Sequence, residues 1–274
     1  MAPNEKLVQI RPGFYLEVFD SGPKQNSKIE LVFVHGIAGG TATWKPQIKY
    51  FSDKYRVIAY HLSGFGESSR RKDYCIEDHV QDLYDLVHTL DLKNPVFIGH
   101  SYGSTILQVY AKEHPVKYMI LVATGTHHLS VPFQRWLLFL PKFIIRWFAH
   151  TKIGERIILY YVTSDNTSWE LKHELYSAHL PDDFHFIDAV KNVKYFNSWH
   201  WAKDITAKTG IVLGEQDRIV NSKRTSALMY HLKDFELYIV PNAGHMLMWE
   251  QPDLFNKYIE HFITDVVLNE RSRA

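Results

Sequence analysis

The segment Gly99-His100-Ser101-Tyr102-Gly103 constrains this chain more than any other. A serine flanked by glycines two residues to either side marks a turn too tight for side chains to cross, with the hydroxyl lifted clear of the backbone. Upstream, Pro95-Val96-Phe97-Ile98 is short, apolar and β-branched. Downstream, Ser104 to His114 has helix-forming composition and stops before Pro115. Ser101 therefore falls at a strand-to-helix turn. The backbone N–H of Tyr102, at the start of that helix, points to where an oxyanion would form on an attacked carbonyl.

A serine so placed becomes a nucleophile only if an acid and a base follow it in the chain, each at the end of a strand. Ile211-Val212-Leu213 reads as a buried strand, and the polar loop Gly214-Glu215-Gln216-Asp217-Arg218 follows it. Asp217 is the acid this order calls for, with Glu215, or an ion pair of Asp217 with Arg218, as the competing readings. Phe235 to Val240 alternates like a strand and runs into Pro241-Asn242-Ala243-Gly244-His245, which supplies the base. Near the N-terminus, the strand Ile29 to Val34 leads into His35-Gly36-Ile37-Ala38-Gly39-Gly40. Such a glycine-rich loop lets the N–H of Ile37 act as a second oxyanion donor beside Tyr102.

With these elements on one chain, the sequence resembles the α/β-hydrolase superfamily, in its serine esterase and lipase-like branch with a helical cap, from about Leu7 to Phe262. The resemblance rests on His35-Gly36, Gly64-Phe65-Gly66-Glu67-Ser68, the turn at Ser101, Gly214-Glu215-Gln216-Asp217 and Gly244-His245. It implies a catalytic triad of Ser101, Asp217 and His245, and an oxyanion hole from the Ile37 and Tyr102 backbone. His35, Gly36, Gly99, His100 and Gly103 would play supporting roles. One departure is visible: the family usually carries Asp three residues before the Gly64-Phe65-Gly66 turn, and this chain has His61. The exchange reads as altered local hydrogen bonding, not lost catalysis.

The expected fold class is α/β: a mostly parallel central sheet with helices on both faces and a helical cap insertion. Opening strands at Lys6–Ile10, Phe14–Phe19 and Ile29–Val34 give it an antiparallel edge. Strands near Tyr55–Tyr60, Pro95–Ile98, Tyr118–Val122, Thr209–Leu213 and Phe235–Val240 then alternate with helices near Trp44–Phe51, Ile76–Leu90, Tyr102–His114, Asn221–His231 and Pro252–Val267. The expected division is a core over 1–125, a cap over 126–205 and the rest of the core over 206–274. At 274 residues and 46% hydrophobic composition, one domain with an insertion fits better than two.

The insertion is aromatic and charge-divided. From His127 to Tyr161 five basic residues stand against the single acid Glu155, whereas Val162 to Val190 is acidic. Trp136, Phe139, Phe143 and Trp147 lie in its densest apolar block. Two readings stay open for them: lining an acyl pocket, or lying along a membrane surface with basic residues near phosphates.

A formal net charge of +1 gives no reason to expect nucleic acid. Sixteen histidines invite a metal, yet His173-Glu174 meets Ser177 where a second ligand would stand, and neither a metal nor an organic cofactor is expected. The single Cys75 excludes an internal disulfide. It sits where a helix start would lower a thiol pKa, without a partner in the motif set. No signal peptide is legible in Met-Ala-Pro-Asn-Glu-Lys, so the default is a cytoplasmic enzyme, with peripheral membrane contact through the basic aromatic part of the cap. The expected partner is a small-molecule ester, and the oligomeric state is left open.

The expected reaction is cleavage of a carboxylic ester with an apolar acyl or aromatic group, through an acyl-enzyme, as in a carboxylesterase or a monoacylglycerol or lysophospholipid lipase. Ser101 in place of Asp separates the chain from epoxide hydrolases and haloalkane dehalogenases, relatives whose nucleophile is a carboxylate. The alternatives are a ligand-binding or scaffold protein of the same fold with little turnover, or an acyltransferase, thioesterase or carbon–carbon hydrolase built on the same residues.

Overall fold

The computed structural model describes residues 5–37, 39–127, 140–180, 187, 195–220 and 222–268. Eight strands form one sheet: β1 (Glu5–Arg11), β2 (Phe14–Asp20), β3 (Glu30–Val34), β4 (Arg56–Tyr60), β5 (Pro95–His100), β6 (Tyr118–Val122), β7 (Lys208–Gly214) and β8 (Phe235–Val240). Their order is β1-β2-β4-β3-β5-β6-β7-β8. β1 pairs antiparallel with β2, and β2 with β4. Every pairing from β4 to β8 is parallel. This is the expected fold class, but the antiparallel edge is β1 and β2 alone: the third opening strand, β3, lies inside the sheet between β4 and β5 and runs parallel to both.

Parallel strands need crossovers, and helices supply them. These are α1 (Lys45–Phe51), α2 (Ile76–Thr89) and α3 (Tyr102–Glu113) in the first part of the chain. Next come α4 (Lys142–Ala149), α5 (Lys152–Val162) and α6 (Trp169–His179), then α7 (Ser222–His231), the single turn α8 (Leu247–Glu250) and α9 (Pro252–His261). The expected final helix is divided: α9 stops at His261, and Phe262–Leu268 continues as a wider π-helical segment.

Strand periodicity sends alternate residues to opposite faces of the sheet. Val32 and Val34 join Leu83, Ile106 and Leu107 in one buried cluster, while Leu31 and Phe33 join Trp44, Phe255 and Ile259 in the other. The core thus lies in two layers, and the central strands are apolar on both faces. That leaves the carboxyl ends of the strands as the place where polar loops gather. α4, α5 and α6 fall between β6 and β7, where the sequence pattern places the insertion.

Cys75 precedes α2, as expected, but its environment is the opposite of activating. Burial, together with the Asp78 carboxylate, pushes its thiol up to about 11.

Candidate active site

Ser101 joins the end of β5 to the start of α3 with φ 51° and ψ −110°. A positive φ is costly for a residue with a Cβ, and it persists here because the surroundings hold it. Ser101 donates its N–H to the Val122 carbonyl at 2.9 Å. The glycines are required as the pattern implies. A Cβ at Gly103 would lie 2.1 Å from the Val34 carbonyl oxygen, and one at Gly99 would lie 2.7 Å from the Gly103 backbone. At Gly36 it would come within 3.1 Å of the Ser101 Cβ, which brings the glycine-rich loop after β3 directly against the serine. Beneath the turn, Ser104 Oγ donates to the Gly99 carbonyl at 2.5 Å and accepts the Val122 N–H at 3.0 Å.

The Tyr102 side chain is closed off from solvent. It is buried in the core edge-on to His79, with ring centroids 5.6 Å apart, whereas Ile37 is only half-buried. Of the two expected oxyanion donors, Ile37 is therefore the one whose side chain stands nearer the surface. Ala38 lies outside the described residues.

The loops after β7 and β8 meet at Asp217 and His245. Asp217 Oδ2 is 2.8 Å from His245 Nδ1, and both side chains are buried. Asp217 Oδ1 accepts the N–H groups of Ile219 at 2.7 Å and Val220 at 2.9 Å, which fixes the carboxylate. Both competing readings of the loop have other partners. Glu215 accepts the Asn242 N–H at 3.0 Å, and Arg218 pairs with Asp165 at 2.6 Å. A carboxylate on Nδ1 places the ring proton there and leaves Nε2 as the basic atom.

His100 ties this corner to Ser101. Its Nε2–H donates to the His245 carbonyl at 3.0 Å, and the two rings lie 4.7 Å apart. Burial, reinforced by His245, holds the His100 pKa well below the ordinary histidine value. His35 is neutral for the same reason: burial, with His61 adding to it, lowers its pKa to about 3. Its Nδ1–H donates to the Gly36 carbonyl at 2.8 Å, and its Nε2 accepts the Leu62 N–H at 3.0 Å. A protonated His35 would lose the second bond, so neutrality is built into the loop. His61 packs against Gly40 and Gly66, with Nε2 3.2 Å from Thr41 Oγ1 and 3.7 Å from Glu17. It braces the same glycine-rich loop from outside, in line with a local change of hydrogen bonding.

Glu250 was not legible from the sequence. Its buried carboxylate accepts the Gly244 N–H at 2.8 Å, the Ser164 N–H at 2.7 Å and the Thr167 hydroxyl at 2.5 Å. The end of α5 thereby locks onto the His245 loop. Met246 N–H also donates to the Val162 carbonyl at 3.0 Å, and Arg218 donates to the carbonyls of Tyr160 at 2.7 Å and Thr163 at 3.0 Å. A Cβ at Gly244 would stand 2.6 Å from the Thr163 backbone. The only sequence signal is the position of Glu250, five residues after His245 and two before Pro252.

From α6, His179 donates Nδ1–H to the Leu175 carbonyl at 2.8 Å and stands edge-on to Trp249 at 5.5 Å. Its Nε2 is buried and unpartnered among the described residues.

Of the four expected pocket residues, two are described, and they stand on the surface. Trp136 and Phe139 lie outside the described residues. Phe143 and Trp147 stand on the outer face of α4, 71% and 68% exposed. They are surface residues, because the inner face of that helix is taken by Ile144, Ile145, Phe148 and Ala149.

Comparison with known proteins agrees with this architecture. A family model described as alpha/beta hydrolase fold matches residues 30–160. Epoxide hydrolase 3 of Xenopus tropicalis is 27% identical over 92% of this chain and 75% of its own length. The proline iminopeptidase PfmaB of Pestalotiopsis fici is 27% identical over 84% of this chain and 89% of its own. Among solved structures, a thermophilic esterase from Thermogutta terrifontis superposes with a TM-score of 0.80 at 20% identity, covering 95% of this chain and 99% of that one.

Proposed function

For a chain that belongs to the α/β-hydrolase superfamily, we propose the activity of a serine hydrolase that cleaves carboxylic esters with apolar acyl or aromatic groups. The observation that carries this reading is a serine, not a carboxylate, at the strained turn, in the same corner as the Asp217–His245 pair. In the proposed reaction His245 Nε2 takes the Ser101 proton as Oγ attacks the ester carbonyl. Asp217 holds the ring and stabilises its charged form, while the Ile37 and Tyr102 N–H groups receive the oxyanion. The imidazolium returns its proton to the leaving alcohol. Water, activated by His245 in turn, then releases the acid from Ser101. Every proton is handled by these side chains, without a metal or organic cofactor. α4, α5 and α6 would form a cap over the site, a reading supported by the Glu250, Arg218 and Met246 ties between α5 and the catalytic loops.

The relatives named epoxide hydrolases raise a second chemistry, and Ser101 argues against it. Attack of a serine oxygen on an epoxide carbon would leave an ether, which activated water does not cleave. A carboxylate would leave an ester that water can open. Relatives with peptidase names keep amide cleavage as an outcome of the same experiment.

The test is intact-protein mass after treatment with a fluorophosphonate, beside Ser101→Ala, with p-nitrophenyl esters of increasing chain length assayed in parallel. One adduct that the variant lacks, together with turnover, is the expected result. An adduct without ester turnover, but with release from peptide, thioester or carbon–carbon substrates, would move the assignment to those reactions. Transfer to added alcohol at the expense of hydrolysis would make it an acyltransferase. Absence of both adduct and turnover would leave a binding protein.

A further inference from the structure

The exposed apolar side chains of this molecule concentrate on the helical insertion. Phe143 and Trp147 lie one helical turn apart on α4, and Ile153, 68% exposed, opens α5. Tyr160 is exposed further along α5, and Trp169 at the start of α6. Exposed large apolar groups in such density mark a contact surface. They are interleaved with cations: Arg146 beside Trp147, Lys152 beside Ile153, and Arg156 6.0 Å from the Trp169 ring. Of the acids on and between these helices, Glu170 stands exposed beside Trp169, and two others are paired. Glu155 takes His173 at 2.9 Å, and Asp165 takes Arg218 at 2.6 Å.

The corner between α4 and α5 is stiff. Thr151 Oγ1 donates to the Phe148 carbonyl at 2.7 Å and accepts the Gly154 N–H at 3.0 Å, and a Cβ at Gly154 would fall 1.9 Å from that same carbonyl. The exposed Trp147 and Ile153 thus flank a fixed bend in the chain. A flexible loop would pay an ordering cost on docking that this corner avoids.

We propose that this outer face docks on an anionic lipid surface, with Phe143, Trp147 and Ile153 entering the headgroup boundary and Arg146, Lys152 and Arg156 meeting lipid phosphates and carboxylates. Aromatic rings at the interface with flanking basic residues are the composition such a surface selects. Among the described residues no helix is long and apolar enough to cross a membrane. A second copy of this chain fits the face less well, because a two-fold contact would set Arg146, Lys152 and Arg156 against themselves. The docked face is also bolted to the catalytic loops: the far end of α5 is held by Met246, Arg218 and Glu250. A lipid ester leaving the bilayer would enter beside Asp217 and His245, a consequence that rests on the hydrolase reading above; the docking itself does not.

The experiment is sedimentation of the full chain with phosphatidylcholine vesicles, with and without phosphatidylserine, together with tryptophan emission and turnover of a water-soluble p-nitrophenyl ester. Binding to the phosphatidylserine vesicles, a blue shift in emission and weakening by salt are expected. Arg146→Glu with Lys152→Glu should reduce binding about tenfold or more, and Trp147→Ala with Ile153→Ala should abolish the blue shift. The charge-reversed variant should keep its turnover of the soluble ester. Binding unchanged in both variants would overturn the proposal, as would equal binding to vesicles lacking phosphatidylserine, or no binding at all. A concentration-dependent dimer that the same substitutions dissolve would assign the face to self-association instead. Loss of soluble-ester turnover in the unmodified chain would count against the hydrolase reading and leave the vesicle result intact.

Discussion

At Gly103 a single added carbon would sit 2.1 Å from the Val34 carbonyl oxygen, whereas at Trp147 a whole indole stands 68% exposed. The first region is defined by what its backbone forbids, the second by what its side chains have not yet met. Around Ser101 each group is fixed by several neighbours: Gly36 against the serine Cβ, Ser104 beneath, His100 reaching across to His245. In α4 and α5 the helices are set by an inner apolar stripe and, for α5, by the Thr151 cap, and the outer side chains stand exposed. Chemistry needs the first kind of region and recognition can use the second. The contrast can be broken or sharpened by substitution.

The largest effect belongs to Ser101→Ala and His245→Ala. Each should lower ester kcat/KM by about 10⁴-fold or more, because members of one proton-transfer chain fail together. Circular dichroism and thermal melting should stay close to the parent, since Ala keeps the Cβ of Ser101 at the same backbone conformation and leaves the sheet untouched. Turnover within tenfold of the parent in either variant would remove the proposed roles. Backbone substitution comes next. Gly103→Ala should cost about 3 kcal/mol of stability, as overpacking against fixed backbone does, and denaturant unfolding reads it directly.

The same contrast explains what the sequence could disclose. The turn at Ser101, the Asp217 loop and the Gly244-His245 loop were legible because they depend on glycines, strand ends and chain order, which are local properties of the text. Glu250 was not, since its three donors come from Gly244, Ser164 and Thr167, brought together only by the fold. The place of the Tyr102 ring is not legible in the sequence, because a helix start fixes the N–H and leaves the ring to whatever core space His79 provides. In α4 the difficulty was different. Phe143, Ile144, Ile145, Trp147 and Phe148 surround the helix, so periodicity shows apolar character on every side and cannot choose the inner stripe. The helix faced the core with Ile144, Ile145 and Phe148, and Phe143 and Trp147 were left outside.

Acid should reach the clamped region before the exposed one. Burial, with His61 adding to it, holds His35 at about 3, against 6.5 for an ordinary histidine. Between those values the unfolded chain binds more protons than the folded one. Stability is therefore fully present above pH 6.5 and is lost as pH falls toward 3, by up to ~1.4 kcal/mol per pH unit for this one group. His100, lowered in the same direction, steepens the loss. Denaturant midpoints at pH 7.5 and pH 5 should differ accordingly, and His35→Gln should flatten the slope while lowering stability at neutral pH. An unchanged slope in that variant would show that His35 does not carry the linkage.

Glu250→Gln probes the seam between the regions. An amide offers one acceptor oxygen where three donors converge, and its NH₂ must face one of them. The His245 loop should loosen from the end of α5, with kcat about tenfold lower and KM little changed. Thr167→Val, which removes one donor, should give a smaller loss in the same direction. A change confined to melting temperature, with kcat preserved, would make Glu250 a fold residue alone.

The smallest effect is expected where the side chains are largest. Phe143→Ser and Ile153→Ser should each change stability by under about 0.5 kcal/mol, the range of substitutions that remove no buried contact. An apolar side chain packed in a core costs several times more to truncate, so the measurement discriminates cleanly. A loss above about 2 kcal/mol for Phe143→Ser would mean that its ring is packed in solution, and would return it to the acyl-pocket reading. A loss within the small range leaves a face that contributes nothing to folding and exposes aromatic surface to water. Such a face calls for a partner, and the vesicle experiment then identifies it.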